Sequence, residues 1–272
     1  MARLHVGSAR AQQCDIMADV GGPGAPPSST PLREIELTDE GPSLTLAQKF
    51  QGTTGLQVWD AGIVLLRFVA SAPVAAVLAT HPRVVELGSG TGVVGIGAAA
   101  LGGDVVMTDL PEVLPLLRHN VALNAEIVAR AQGALSVVEL RWGVGAVPRE
   151  LVDPELVLLS DCIFETAAAT LLVETLEQLC TQPRTTVLLA NEQREHPKNR
   201  EAEAAFSAAA AVNFTVERVG REEQDEEYAC DEIIVLRLRR KEADRPQQGR
   251  RQQDQDQKED EDEDEGAGSG ES

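Results

Sequence analysis

The sequence predicts an α/β fold: one domain on a mostly parallel seven-stranded sheet, with one antiparallel strand and helices on both faces. Three observations predict it. Short β-branched runs alternate with helical stretches long enough to cross a sheet face, the pattern of parallel strands joined by right-handed crossovers. A glycine-rich turn follows the first complete run, as in a nucleotide-binding βαβ unit. The chain has 272 residues, 43% of them hydrophobic; without its ragged ends roughly 200 remain, the size of a single α/β core.

Taken in order, residues 1–40 are rich in Gly, Pro and Ser and include "GGPGAPPSSTP", which holds neither a helix nor a central strand. This part is expected to be a disordered leader. Its first fourteen residues are basic and free of acids, a faint likeness to a transit peptide that is weaker than the reading of a plain leader with Met17 as a second start. The domain is placed at 41–241. Strands are expected at Arg83 to Leu87, Val105 to Thr108, Ser136 to Leu140, Leu156 to Leu159, Thr185 to Ala190, Phe214 to Val219 and Ile233 to Leu238. Helix-forming Ile96 to Leu101 follows the glycine turn, and further helices are expected at Glu112 to Asn124, Ala167 to Cys180 and Lys198 to Ala211. Only "GREEQDEEYACDE" separates the last two strands. It is too short and too acidic for a comfortable crossover helix, so these strands are expected to pair antiparallel. From 242 to 272 the chain is low in complexity and free of large apolar residues, which predicts a disordered acidic tail.

The formal charge of -20 disfavours nucleic acid as a partner, since a phosphate backbone is held mainly by clustered Lys and Arg. Ten acids against one lysine between Asp254 and Ser272 account for about half of that excess, and the rest of the chain is still acidic. Cys14, Cys162, Cys180 and Cys230 are widely spaced and form no metal-ligand pattern or disulfide framework, which fits a reducing compartment. No metal site is expected. No apolar run reaches the roughly 18 residues of a membrane span. The expectation is a cytoplasmic monomer with no membrane partner.

The loop in "RVVELGSGTGVVG" admits two registers. Gly90, Gly92 and Gly95 satisfy GxGxxG, the dinucleotide fingerprint; Glu86, Gly88, Gly90 and Gly92 satisfy ExGxGxG, the pattern of S-adenosylmethionine sites. In a dinucleotide site the first glycine follows the strand at once, whereas here the GxGxxG match begins three residues after Leu87. S-adenosylmethionine carries an ammonium and no phosphate, so an acid such as Glu86 at the strand end suits it. Asp109 ends the next strand, 23 positions after Glu86, and fits the ribose hydroxyls of either ligand; capping the following helix is its structural alternative. A hydride-transfer enzyme would need a substrate domain or a large insertion, and the stretch after the expected sheet reads as the acidic tail alone, so the dinucleotide reading is the less expected one. The only two tryptophans, Trp59 and Trp142, both flank predicted site elements, where a flat ring lies well on an adenine.

Together "VWDAGIVL", "VELGSGTGVVGI", "VVMTDLPEVLPLLRHNVALN", "LRWG", "SDCIFE", "NEQREHPKN" and "DEEYACDEI" resemble the seven-strand S-adenosylmethionine-dependent protein methyltransferases called methyltransferase family 16, over roughly Thr54 to Lys241. The likeness is strongest to the branch acting on valosin-containing protein, an AAA-type ATPase. The resemblance implies a Rossmann-like class I methyltransferase fold, S-adenosylmethionine as cofactor, and methylation of a lysine on such a protein. It implies that Trp59 contacts the methionine end, Gly88 and Gly90 form the loop side, Asp109 takes the ribose, Trp142 the adenine region, and Ser160 lies against the cofactor through its backbone; Glu86 and Ser89, within the same ExGxGxG stretch, are expected to bind the cofactor with them. Asp161 and Phe164 form the D/ExxF/Y motif, with Asp161 orienting the incoming amine and Phe164 lining its channel. Three positions depart from the family pattern: Gly62 stands for an alanine, Phe164 for a tyrosine, and Asn191 for an aromatic. A small-molecule or RNA methyltransferase and a catalytically silent cofactor-binding adaptor remain as alternatives.

Overall fold

The computed structural model describes residues 30–242; the leader up to residue 29 and the acidic tail from 243 lie outside the described residues. Regular structure begins earlier than expected, inside the stretch read as leader. There β1 (Leu32–Glu36) pairs antiparallel with β2 (Ser43–Ala47) in a separate two-stranded sheet. Ile35, Leu37, Leu44 and Leu46 bury into the main core. So few apolar residues among polar ones become legible as strands only once a helical layer covers them.

Two helices then lead into the sheet, α1 (Asp60–Val69) and α2 (Ala72–Leu78). The crossover series follows as β3 (Arg83–Leu87), α3 (Val93–Ala100), β4 (Asp104–Asp109), α4 (Leu114–Leu123), α5 (Ala125–Arg130), β5 (Ala134–Glu139), β6 (Leu156–Ser160), α6 (Thr166–Leu179), β7 (Thr186–Glu192), α7 (Pro197–Asn213), β8 (Phe214–Arg218) and β9 (Ile233–Arg240). All seven expected strands are present. The main sheet has the order β5-β4-β3-β6-β7-β9-β8, parallel except for β9, which runs antiparallel to both its neighbours.

Strict alternation along the central strands divides the interior into two layers. Val84, Leu156, Leu158, Leu188 and Ala190 face a core shared with the N-terminal hairpin, α1 and α3. Val85, Leu87, Val157, Leu159, Val187 and Leu189 face the core built with α6 and α7. Central strands buried on both faces read as continuous apolar runs, whereas edge strand β8 is exposed beyond its first residue.

The order of connection reverses between β3 and β6: the chain moves outward through β4 and β5, then returns to build the other half. In an open α/β sheet a ligand crevice lies at that reversal, outside the carboxyl ends of the strands.

Candidate active site

The crevice is there, as a cavity of about 650 Å³ lined from strand ends: Gly88, Ser89 and Gly90 after β3, Asp109 and Leu110 at β4, Trp142 after β5, Ser160 and Asp161 at β6, and Arg194 after β7. Trp59 and Phe164 also line it. Nine of the ten expected site residues therefore meet in one place. Glu86 does not.

Glu86 shares the parity of Val84, which turns its side chain beneath α3. It is 1% exposed. A Cβ on Gly95 would stand 2.3 Å from its Oε2, so the carboxyl occupies room that a side chain on α3 would fill. Burial pushes its pKa up to about 8, with Ser89 and the Gly95 amide pulling the other way. Neither oxygen has a hydrogen-bond partner of ordinary geometry among the described residues. The expectation of a cofactor contact through this side chain is corrected: alternation places it under the loop, outside the cavity lining.

Asp109 holds the loop's shape. Its Oδ2 accepts from the Gly90 amide at 2.7 Å and its Oδ1 from the Leu110 amide at 2.7 Å. Burial raises its pKa, against the pull of these two amides. Gly88 has φ +63°, and a Cβ there would stand 2.9 Å from Cys162 Sγ and 3.0 Å from Trp142 Cζ2. Backbone thus forms this wall because a side chain has no space. Trp59 precedes α1 and is fixed by its indole N–H donating to Thr54 O at 2.9 Å. Gly62, on the next turn, faces Val93 and Ser160: a Cβ would come within 2.9 Å of Val93 Cγ1 and 3.5 Å of Ser160 Oγ.

At the other end Asp161 takes φ +53° just past β6, a left-handed conformation that Asp tolerates better than most residues. Its amide donates to Ala190 O at 2.8 Å. Its carboxylate is not free toward the cavity: Arg194 reaches Oδ1 at 3.0 Å and Oδ2 at 2.5 Å, and the Glu192 carboxylate at 2.7 Å. Burial works against the Arg194 charge, but the hydrogen bonds and charges of Asp161 and Glu192 outweigh it and raise its pKa. The guanidinium carbon lies 5.9 Å from the Trp59 ring centroid. Asn191, fully buried, accepts from the Ile163 amide at 3.1 Å and so braces the loop carrying Asp161.

Arg194 is the principal residue that sequence reasoning missed. The signal was a lone basic residue two positions past an apolar strand in "TVLLANEQR", at the sheet end where the site lies. Asn199 on α7 and Leu171 on α6 also line the cavity, and only the packing of those helices brings them there.

A family model described as lysine methyltransferase matches residues 38–211. EEF1A lysine methyltransferase 3 of Mus musculus is 35% identical over 218 residues, covering 74% of this chain and 87% of the relative. The protein of that name from Xenopus tropicalis is 31% identical over 170 residues, covering 62% of this chain and 72% of the relative. Among solved structures, the glycopeptide N-methyltransferase MtfA complexed with S-adenosyl-L-methionine is 15% identical with a TM-score of 0.45, covering 61% of this chain and 92% of that one. The chain belongs to the lysine methyltransferase family and is an S-adenosylmethionine-dependent protein-lysine methyltransferase.

Proposed function

We propose that the enzyme methylates a lysine of EEF1A, with an AAA-type ATPase resembling valosin-containing protein as the second candidate target. The first rests on two relatives of that name matched over most of their length, the second on the combined resemblance of "VWDA", "RWG" and the D/ExxF/Y motif. The observation that carries the function is one continuous cavity: a glycine loop, Asp109 and Trp142 line one part, while Asp161, Phe164 and Arg194 line another.

The residues present fit the cofactor, since the wall at Gly88 leaves backbone exposed where a Cβ would collide with Trp142 and Cys162. Gly88, Ser89 and Gly90 would hold the amino acid end, Asp109 the ribose hydroxyls through its remaining lone pairs, Trp142 the adenine, and Trp59 with the Ser160 backbone the methionine side. S-adenosylmethionine, when bound, supplies a methyl on a positively charged sulfur, which becomes a neutral thioether as the lysine nitrogen takes that methyl. The chain's own contribution is to bring a neutral amine into line. Phe164, 40% exposed on the cavity lining, offers a ring face to the arriving ammonium. Asp161 acts together with Arg194, whose guanidinium fork holds its carboxylate and answers its charge.

Tritium transfer from labelled S-adenosylmethionine into EEF1A, the AAA-type ATPase, total RNA and small metabolites tests this reading. Label on a lysine of EEF1A is expected. Label confined to RNA or metabolites would refute lysine methylation as the reaction of this site, and label on the ATPase alone would exchange the two targets.

A further inference from the structure

We infer that Arg194 sets the charge of the substrate end: by pairing with Asp161 it leaves the arriving lysine a wall against which its ammonium can release a proton to water. The inference rests on lysine as the acceptor and assigns Arg194 as a positioning residue of that same site.

A lysine amine has an ordinary pKa near 10.4 and attacks only when neutral. An unpaired carboxylate a few ångströms away would favour the ammonium and raise that pKa by about 1 to 3. A bare Asp161 would bind the substrate and hold it in its unreactive form. The structure avoids this. The Asp161 side chain is 6% exposed, and the guanidinium covers both its oxygens as a two-toothed fork. Glu192 holds the same Arg194 nitrogen from the more exposed side and is absent from the cavity lining. The cavity therefore meets an acid whose charge is already answered, by a cation that itself lines the wall. A lysine at 194 would supply charge but not the planar fork.

Other ionisable groups stand near this corner, and two of them feel the charges that the variants remove. From α7, Glu203 feels the fields of Arg194 and Arg200, while burial raises its pKa. Glu165, which precedes α6, lines the cavity. Burial holds the Cys162 thiol well above its usual range, with Asp109, Asp161 and Glu86 adding to the effect. Glu112 and Arg141 also line the cavity.

The test is single-turnover methylation of EEF1A by the full chain across pH, at saturating S-adenosylmethionine, where the acid limb of the rate reports the bound amine. In Arg194→Met the limb is expected to move to higher pH by about one unit or more, so the rate at pH 7 falls about tenfold or more and recovers toward pH 9. In Asp161→Asn the guanidinium, then balanced by Glu192 alone, is expected to move the limb to lower pH, because one negative charge has left the wall. Arg194→Lys is expected to keep the limb near its parent position at a reduced rate. Calorimetric affinity for S-adenosylmethionine should stay within about threefold of the parent in all three, because Asp109 and the glycine loop are untouched. If Arg194→Met does not fold, the other two variants decide by the same criteria. Limbs that stay at the parent pH in Asp161→Asn and Arg194→Met, or that move in the same direction, overturn the inference while lysine methylation stands. A parent enzyme that labels no lysine overturns the reading beneath it and the inference with it.

Discussion

An acid that closes a strand before a glycine loop can serve either face of the sheet, and at Glu86 the period of two decides for the face under α3. Its stability consequence follows from the raised pKa, ordinary value 4.5 and about 8 in the fold. The folded state prefers the protonated carboxyl, so the stability linked to it is full below about 4.5 and is lost as pH rises through about 8. Glu86→Gln removes that dependence. Melting temperatures of parent and variant should therefore diverge in the variant's favour between pH 5 and pH 8.5; a constant difference across that range would contradict a protonated, buried Glu86. Asp161 makes the same point about orientation. Its type and position were legible in "SDCIFE", but φ +53° turns it to the end of β7, where an arginine takes both oxygens.

Among elements, α4 has a second task that its helical pattern did not announce. Asn120 and Asn124 lie one turn apart and supply the hydrogen bonds that β2 lacks on its open edge. Asn120 accepts from the Ala47 amide at 2.8 Å and donates to Ala47 O at 3.0 Å and Thr91 O at 2.9 Å. Asn124 accepts from the Thr45 amide at 2.9 Å and donates to Thr45 O at 2.8 Å. The first pairs the N-terminal hairpin to the loop that carries Thr91. Asn120→Ala strands three interior backbone groups at about 1 to 3 kcal/mol each. Urea denaturation should show a loss of about 3 kcal/mol or more, and a loss below about 1 kcal/mol would mean that water replaces the side chain. A comparable tie lies on the other side of α1, where Arg67, 5% exposed, pairs with Asp39 and Asp225 and stacks 4.5 Å from the Tyr228 ring centroid. It joins the hairpin turn to the acidic segment between β8 and β9.

For the whole molecule, the ligand belongs to the folded state because its site is assembled from the ends of five strands, the segment leading into α1, and residues of α6 and α7. S-adenosylmethionine at a hundredfold excess over its dissociation constant should stabilise the fold by about 2.7 kcal/mol, seen as a raised melting temperature, while NAD at the same concentration should leave it unmoved. Asp109→Ala should weaken the cofactor roughly ten- to a hundredfold through one lost charge-assisted hydrogen bond of about 1.5 to 3 kcal/mol; unchanged affinity would remove Asp109 from the site. The sequence by itself determined the seven main strands, the antiparallel ending and the identity of most residues at the strand ends, because alternation, glycine turns and apolar runs are local and survive without partners. The tertiary structure decided the N-terminal hairpin, whose few apolar residues count only against a covering layer, and the burial of Glu86, which depends on an absent Cβ in another element. It also decided the pairing of Asp161 with Arg194: these residues are 33 positions apart, and their charges meet only because β6 and β7 lie side by side in the sheet.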